Sequence, residues 1–149
     1  MASERVFDVG GDRVRIVLDA AATGGTLGII EAEVLPGGGP PPHVHSREDE
    51  TFHVLEGQIE FTLDGERHTV RAGGTAFAPR GIPHAYRNEG AGKARMLVML
   101  TPGGFEAFFA ETGTPAAPGS PIAPPTPDGL ARLVGAASRY GLAFVPPRA

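Results

Sequence analysis

Short apolar runs separated by turn residues recur along the chain as far as residue 102. Residues 14–20 and 26–35 are rich in β-branched and aliphatic side chains, and residues 94–102 are apolar at both odd and even positions. Between them, apolar and polar side chains alternate around an Asp64-Gly65 pair, which is typical of a tight hairpin turn. Eight or more such strands predict an all-β sandwich or barrel, with residues 94–102 buried on both faces.

The C-terminal third of the chain changes character. Residues 104–112 place Phe105, Phe108 and Phe109 on one side of a predicted helix that stops at Gly113. This helix either covers the mouth of the barrel as a lid, or packs on the outside of the barrel or on a partner subunit. We expect simple packing.

A second helix is predicted over residues 128–141, with Asp128 as its N-cap and Gly141 at its C-terminal end. The helix has an apolar stripe at helical spacing, formed by Leu130, Leu133, Val134, Ala137 and Tyr140.

Length and composition indicate one domain, which we divide into three parts. Residues 1–112 form the barrel with its first helix, and residues 128–149 form a C-terminal helix and tail that pack on the barrel or on a partner. Between them, residues 113–127 contain six prolines and are predicted to be an extended linker rather than a packed element. The 22 glycines and 15 prolines of the whole chain otherwise lie mostly between apolar runs, where an all-β fold needs turns.

Charge and cysteine content exclude several classes of partner and site. The formal net charge is −4 with no block of basic residues, so neither nucleic acid nor an anionic membrane is expected to bind. The absence of cysteine excludes disulfides and thiolate metal sites. The N-terminus lacks the apolar run of a signal peptide, and no stretch has the length of a membrane span. We therefore expect a cytoplasmic protein.

Four polar side chains in strand-like segments point to a metal site. His43 and His45 lie two residues apart and share one face of a strand, Glu50 follows after a turn-like segment, and His84 follows a Pro/Gly turn. Three imidazoles and one carboxylate suit Fe, Ni, Mn, Co, Cu or Zn alike. Taken alone, however, an H-x-H pair is more often a surface or hydrogen-bonded pair, and the acidic residues 48–50 would be a solvated loop.

The glycines around these residues carry a family resemblance. The segment resembles the first conserved motif of the cupins, G-x5-H-x-H-x4-E-x6-G, whose fixed positions are matched by Gly37, His43, His45, Glu50 and Gly57.

A second motif follows at the spacing found in compact bacterial cupins. The pattern G-x5-P-x-G-x2-H-x3-N is matched by Gly73, Pro79, Gly81, His84 and Asn88. The tail after the proline-rich segment also resembles that of small bacterial monocupins of the quercetin-dioxygenase-like type, although more diffusely.

The resemblance implies a fold and a metal site. It implies a double-stranded β-helix, or jelly-roll barrel, in which His43, His45, Glu50 and His84 hold one divalent transition metal ion. Because no ligand position departs from the motifs, we do not expect a degenerate, metal-free cupin. The resemblance also implies a homodimer, formed through the outer sheet or by exchange of N-terminal strands, and an exposed edge near residues 3–9 would favour the exchange.

Other polar residues are weaker candidates. His53 has the opposite strand parity to Glu50 and should face away from the metal, whereas His68 is placed either towards the barrel interior or at a hairpin edge. Asn88 is expected to stabilise its turn. Tyr86 has the parity of His84 and either points into the cavity or packs at its rim. The residues predicted to line a substrate pocket are Phe52, Phe61, Phe77, Tyr86 and Met99.

Three functions are compatible with these residues. The first is a metal-dependent dioxygenase acting on a small hydroxylated aromatic, flavonol-like or polyketide-like molecule, in which Glu50 is both a ligand and the base that takes the substrate proton. The second is a non-redox isomerase or polyketide cyclase that uses the ion as a Lewis acid. The third is a non-catalytic module that binds a small ligand or metal.

Overall fold

Two antiparallel sheets facing each other make up most of the protein. The computed structural model describes residues 5–146. The larger sheet has seven strands in the order β11-β1-β2-β3-β10-β5-β8. Its strands in chain order are β1 (Arg5–Val9), β2 (Asp12–Leu18), β3 (Gly28–Val34), β5 (Asp49–Glu56), β8 (Thr75–Ala78), β10 (Ala94–Thr101) and β11 (Thr114–Pro115).

The smaller sheet consists of the strands β4 (His43–His45), β6 (Gln58–Leu63), β7 (Glu66–Arg71), β9 (His84–Arg87) and β12 (Leu142–Phe144). Their order across the sheet is β12-β4-β9-β6-β7. The inward side chains of both sheets form one apolar core that includes Phe52, Phe61 and Met96. The all-β prediction is therefore confirmed.

The predicted hairpin is present as β6 and β7. Leu63 pairs with Glu66 across the turn, and both turn residues have positive φ, 50° for Asp64 and 88° for Gly65. This backbone matches the right-handed twist of the two strands, which is why an Asp-Gly pair is favoured here.

Strand β10 differs from the prediction of burial on both faces. Its side chains alternate between buried and half-buried positions, with Val98 and Leu100 inside and Leu97 and Met99 on the outer face. The apolar residues of the outer face had the same appearance in the sequence as those of the core, because periodicity cannot separate two faces that are both apolar.

Two short helices flank the larger sheet. A one-turn helix that the sequence did not predict, α1 (Ala20–Thr23), is capped by the Asp19 side chain, which accepts a hydrogen bond from the Ala22 amide. The helix α2 (Glu106–Thr112) was predicted. The buried carboxylate of Glu106 accepts hydrogen bonds from the amides of Ala20 and Gly104, at 2.9 and 2.7 Å, and so fixes the start of α2 against the sheet.

The proline-rich segment 113–127 is held along the edge of the larger sheet and is not a free linker. Its β11 pairs with Phe7 and Asp8 of β1, so this edge, which was expected to be exposed, is covered over those residues. The buried Arg13 guanidinium donates hydrogen bonds to the Asp8 carboxylate and to the Ser120 carbonyl, at 2.8 and 2.6 Å. Residues 3 and 4 of the predicted edge lie outside the described residues.

The second helix starts earlier than predicted. In α3 (Pro127–Ala137), the N-cap is Thr126, whose side chain accepts a hydrogen bond from the Gly129 amide, and Asp128 lies in the first turn. Of the predicted apolar stripe, Val134 is 65% exposed. A 3₁₀ turn, Ser138–Tyr140, then leads to β12. Among residues 5–146, no helix has the length and apolar character needed to cross a membrane.

Candidate metal centre

Three histidines converge from two paired strands of the smaller sheet. His43 and His45 point inward from β4, with Val44 between them on the outer side, as the two-residue repeat of a strand requires. His84 opens β9 and lies directly opposite His43 in the register of the sheet. One ring nitrogen from each of the three histidines lies within 4.8 Å of the other two, and all three side chains are buried.

Glu50 reaches the same point from the other sheet. It lies on β5, and its carboxylate oxygens are 2.8 Å from His45 Nε2 and 3.3 Å from His84 Nε2. The loop 46–48 carries the chain from β4 in one sheet to β5 in the other, so the spacing between His45 and Glu50 spans the two layers of the barrel. The structure thus brings together all four side chains that the sequence predicted as ligands.

Each imidazole is oriented through its Nδ1 atom. His43 Nδ1 lies 2.9 Å from the Pro41 carbonyl oxygen and His84 Nδ1 lies 3.3 Å from that of Ile82, while His45 Nδ1 lies 2.8 Å from a Glu48 carboxylate oxygen. Since carbonyl and carboxylate oxygens accept hydrogen bonds, each Nδ1 carries the proton. This leaves each Nε2 to act as the ligand atom, the arrangement found at histidine metal sites.

The donor set fits a divalent transition metal ion. His84 Nε2 is fully buried and, although Glu50 Oε2 lies 3.3 Å away, it has no hydrogen-bond partner in the described part of the chain. A buried nitrogen lone pair without a partner is costly unless something binds it. Imidazole and carboxylate together suit the first-row transition metals. These four residues would therefore hold such an ion.

The pKa values of His43, His45 and Glu50 in the metal-free cluster are shifted in different directions. Burial, and then the neighbouring His84 and His45, lower the pKa of His43 to about 4, although Glu50 acts in the opposite direction. Burial also acts to lower the pKa of His45, but hydrogen bonds to Glu48 and Glu50 outweigh it and raise that pKa to about 9. Burial alone would raise the pKa of Glu50, but His45 and His84 hold it well below its usual range. A metal ion that binds Nε2 must therefore displace a proton held between His45 and Glu50.

A mostly apolar cavity of about 160 Å³ opens onto the cluster. The barrel contributes Phe52, Tyr86, Val98 and Leu100 to its wall. The barrel also contributes Val9, Val14, Ile30, Pro40 and Pro41. The C-terminal extension, meaning residues 104–146, adds a second group of apolar side chains: Phe105, Phe108 and Phe109 at α2, Leu130 and Leu133 from α3, and Leu142 and Phe144 from β12.

The extension therefore lines the cavity, and its first helix, for which we expected simple packing, takes part in this wall. The Phe105 ring meets the His45 ring edge-on, with centroids 4.5 Å apart. Strand β12 pairs with β4, placing Leu142 opposite His45 and Phe144 opposite His43. The extension thus contacts the strand that carries two of the candidate ligands.

Of the residues predicted to line the pocket, some line the cavity and others do not. Phe52 and Tyr86 line the cavity, whereas Phe61 is buried behind them, its ring centroid 4.9 Å from that of Phe52. Phe77 is 52% exposed on the outer face of β8, and Met99 lies on the outer face of β10, so both assignments to the pocket were wrong.

Strand register explains why Phe77 and Met99 face outward. Inside the barrel, Glu50 and Phe52 of β5 lie opposite the small side chains Ala78 and Ala76 of β8. Phe77 and Met99 both pair with Thr51, which lies on the outer face of β5.

The remaining polar candidates lie away from the cluster. His53 is on the outer face, with its Nδ1 atom 2.9 Å from the Thr75 hydroxyl, and the His68 side chain is 49% exposed on β7. Asn88 stabilises its turn as predicted, because its side chain donates to the carbonyls of Val34 and Gly92.

Two buried carboxyl groups at the site were missed in the sequence. Glu48, which looked like part of a solvated loop, is 4% exposed and orients His45. Its position three residues after a predicted ligand was the available signal. Asp12 is 7% exposed and lines the cavity. Nothing in its local sequence distinguishes it from an ordinary acidic turn residue.

Comparisons with known proteins agree with this geometry. Residues 30–100 match the family model described as Cupin domain. Quercetin 2,3-dioxygenase of Bacillus subtilis is 34% identical over 105 residues, which are 68% of this chain and 31% of that protein. Polyketide synthase CurC of Streptomyces cyaneus is 35% identical over 94 residues, 62% of this chain and 60% of that protein.

A further relative is covered more fully. Protein SchB of Streptomyces halstedii is 34% identical over 94 residues, which are 62% of this chain and 67% of that protein. The chain spans only about a third of the length of the Bacillus protein. Residues 30–100, which match the Cupin domain model, contain both motifs, and two thirds of Protein SchB is covered at 34% identity, so the chain belongs to the cupin family.

Proposed function

We propose that this protein is a metal-dependent dioxygenase acting on a small hydroxylated aromatic substrate. The observation that carries the proposal is the convergence of three imidazoles and one carboxylate at the wall of an otherwise apolar cavity. Apolar walls with a few convergent polar groups are typical of sites for small molecules. The match to quercetin 2,3-dioxygenase favours a flavonol-like substrate.

The residues of the chain have separate tasks in this reaction. His43, His45, His84 and Glu50 would hold the metal ion, which when bound supplies Lewis acidity and, if redox-active, electron transfer to dioxygen. The aromatic and aliphatic wall orients the ring system and excludes water. Glu50 takes the proton of the substrate hydroxyl. Both oxygen atoms of dioxygen enter the product, so one molecule is consumed per substrate and no external reductant is needed.

Exchange of Glu50 tests the dioxygenase proposal. In oxygen-electrode assays with a flavonol, protein loaded separately with Fe, Ni, Mn, Co or Cu should consume one dioxygen per flavonol with at least one of these ions. Glu50→Gln removes the proton acceptor but keeps an oxygen ligand. We expect it to retain most of its metal and to lose about 100-fold in turnover rate. The neighbouring surface variant Asp49→Asn should behave like the wild type, and unchanged turnover in Glu50→Gln would remove the role as base.

A polyketide cyclase or isomerase is the second candidate. It is favoured by the match to Polyketide synthase CurC, of which the chain covers a larger share than it does of the dioxygenase. The same assay separates the two functions, because a cyclase converts its substrate without oxygen uptake. A ligand that is retained tightly and never converted would instead indicate a binding module.

We also propose that the protein is a homodimer that pairs through the outer face of the larger sheet. A row of side chains in register crosses this face through four strands: Phe77, Thr51, Met99 and Ile29. Three of the four are large and apolar, and Phe77 is half exposed. An apolar strip on the outside of a sheet is the kind of surface that association buries.

A charge placed in this strip should separate the subunits. We expect Phe77→Glu to convert the wild-type dimer to monomer in sedimentation velocity, because a carboxylate buried without a partner is strongly disfavoured. Val134→Glu, which changes a 65% exposed residue on α3, is the matched control and should leave the sedimentation coefficient unchanged. A Phe77→Glu protein that is still dimeric would place the interface elsewhere.

A further inference from the structure

Asp12 is a buried carboxyl group that is neither a candidate metal ligand nor a residue that orients one. It lies at the start of β2 and is 7% exposed, and its Oδ1 atom is fully buried without a hydrogen-bond partner among residues 5–146. Burial raises the pKa of this carboxyl to about 7. Buried polar groups are nearly always paired, so an unpaired one requires an explanation.

The turn around Gly38 and Gly39 packs closely on Asp12. A Cβ atom added at Gly38 would lie 2.7 Å from Asp12 Oδ1. A Cβ atom at Gly39 would collide with the Tyr86 carbonyl oxygen, so both glycines keep this turn close to the wall. The carboxyl borders the same cavity as the histidine cluster.

Asp12 and the candidate metal centre border the same cavity. Its lining includes His43, His45 and Glu50 of the cluster as well as Asp12, and Tyr86, two residues after His84, also contributes to the wall. The cavity therefore has polar groups at two places, the cluster and Asp12, with apolar wall around them.

We propose that Asp12 is a specificity-determining residue, whose carboxyl accepts a hydrogen bond from a ring hydroxyl of the ligand while another oxygen of that ligand faces the histidine cluster. The class of ligand, a polyhydroxylated aromatic, rests on the proposed function. The choice of Asp12 as the hydrogen-bond acceptor does not depend on that function, because it follows from the burial of Asp12 and its place in the cavity wall. A ligand hydroxyl would supply the donor that the protein does not provide, and a ligand without it would leave the carboxyl unpaired.

Two flavonols test this assignment by binding, without turnover. Dissociation constants of quercetin and of 3-hydroxyflavone, which lacks the additional ring hydroxyls, are measured by calorimetry for the wild type and for Asp12→Leu and Asp12→Asn, each with a measured metal content. In Asp12→Leu we expect quercetin to bind at least 10-fold more weakly and 3-hydroxyflavone to change less than 3-fold. Asp12→Asn keeps an acceptor oxygen and should retain part of the preference.

The other outcomes separate failure of this inference from failure of the proposed function. Suppose that the wild type binds quercetin and that Asp12→Leu weakens the binding of both flavonols equally, or of neither. Asp12 then does not hydrogen-bond to a ring hydroxyl of the ligand, and the inference is wrong. If the wild type binds neither flavonol, the ligand class is wrong and the inference falls with it. The surface variant Glu89→Gln, which removes one charge from a side chain that is 51% exposed, should leave both constants unchanged.

Discussion

Replacing His45 or His84 by alanine should lower the affinity for a divalent transition metal by more than about 100-fold, since the loss of a residue that merely orients a ligand already costs 10–100-fold. The three imidazoles come from one pair of strands, and their Nδ1 atoms are fixed by neighbouring oxygen atoms. A solvent molecule in place of one imidazole would have neither this preorganisation nor the same donor strength.

The fold should survive both substitutions. In the metal-free protein, His84 Nε2 has no hydrogen-bond partner within residues 5–146, so replacing His84 removes only the contact of its Nδ1 atom with the Ile82 carbonyl. Replacing His45 takes a partner from the buried carboxyl groups of Glu48 and Glu50, which lowers stability but leaves the sheets intact. The apolar core is formed by separate side chains between the sheets. We therefore expect circular dichroism of the metal-free variants to match that of the wild type.

Metal per chain is measured by mass spectrometry after dialysis, and affinity by competition with a chromogenic chelator. The chain provides two matched controls, because His53 and His68 are also strand histidines but lie outside the barrel. Alanine at either position should leave the metal content unchanged. Full metal retention in both His45→Ala and His84→Ala would contradict the ligand assignment.

The four candidate ligands could be predicted because short spacings in the sequence determine where their side chains lie. A two-residue spacing fixes the shared face of His43 and His45, and the glycine and proline positions of the two motifs fix the turns that bring Glu50 and His84 to them. The same is true of the Asp64-Gly65 hairpin, whose turn geometry depends on two residues.

The walls of the cavity were less predictable because they depend on distant pairings. Phe77 and Met99 face outward because of their register with Thr51, and an apolar run alone does not show this. The C-terminal extension lines the cavity because β12 pairs with β4, about a hundred residues earlier in the chain. Asp12 is buried by a turn around Gly38 that only the folded chain brings to it.

Asp12 should also make the stability of the protein depend on pH in a direction opposite to that of most carboxyl groups. Its pKa is about 7 in the folded protein and near the ordinary 3.8 in the unfolded chain, because burial disfavours the charged form. Between these values the folded state binds more protons than the unfolded state, so stability is lost as the pH rises from about 4 to about 7. At about 1.4 kcal/mol per pKa unit, the full loss is about 4 kcal/mol.

Asp12→Asn isolates this contribution. Asparagine has a similar shape and does not titrate, so the free energy of unfolding of the variant minus that of the wild type should grow by about 4 kcal/mol between pH 4 and pH 8. Urea unfolding is measured across this range with chelator present, so that the histidine cluster stays metal-free in both proteins. Other titrating groups contribute equally to the two proteins and cancel in the difference, and Tyr86 titrates well above this range.

A difference that does not change with pH would mean that Asp12 is solvated or paired, and would remove the physical reason for a ligand donor at that position. A difference that grows as expected would show that the wild type carries a destabilising charge at neutral pH that one substitution removes. A ligand hydroxyl that pairs with the carboxyl would then offset part of that cost, so quercetin should stabilise the wild type more than Asp12→Asn at pH 8, and the two more nearly equally at pH 4.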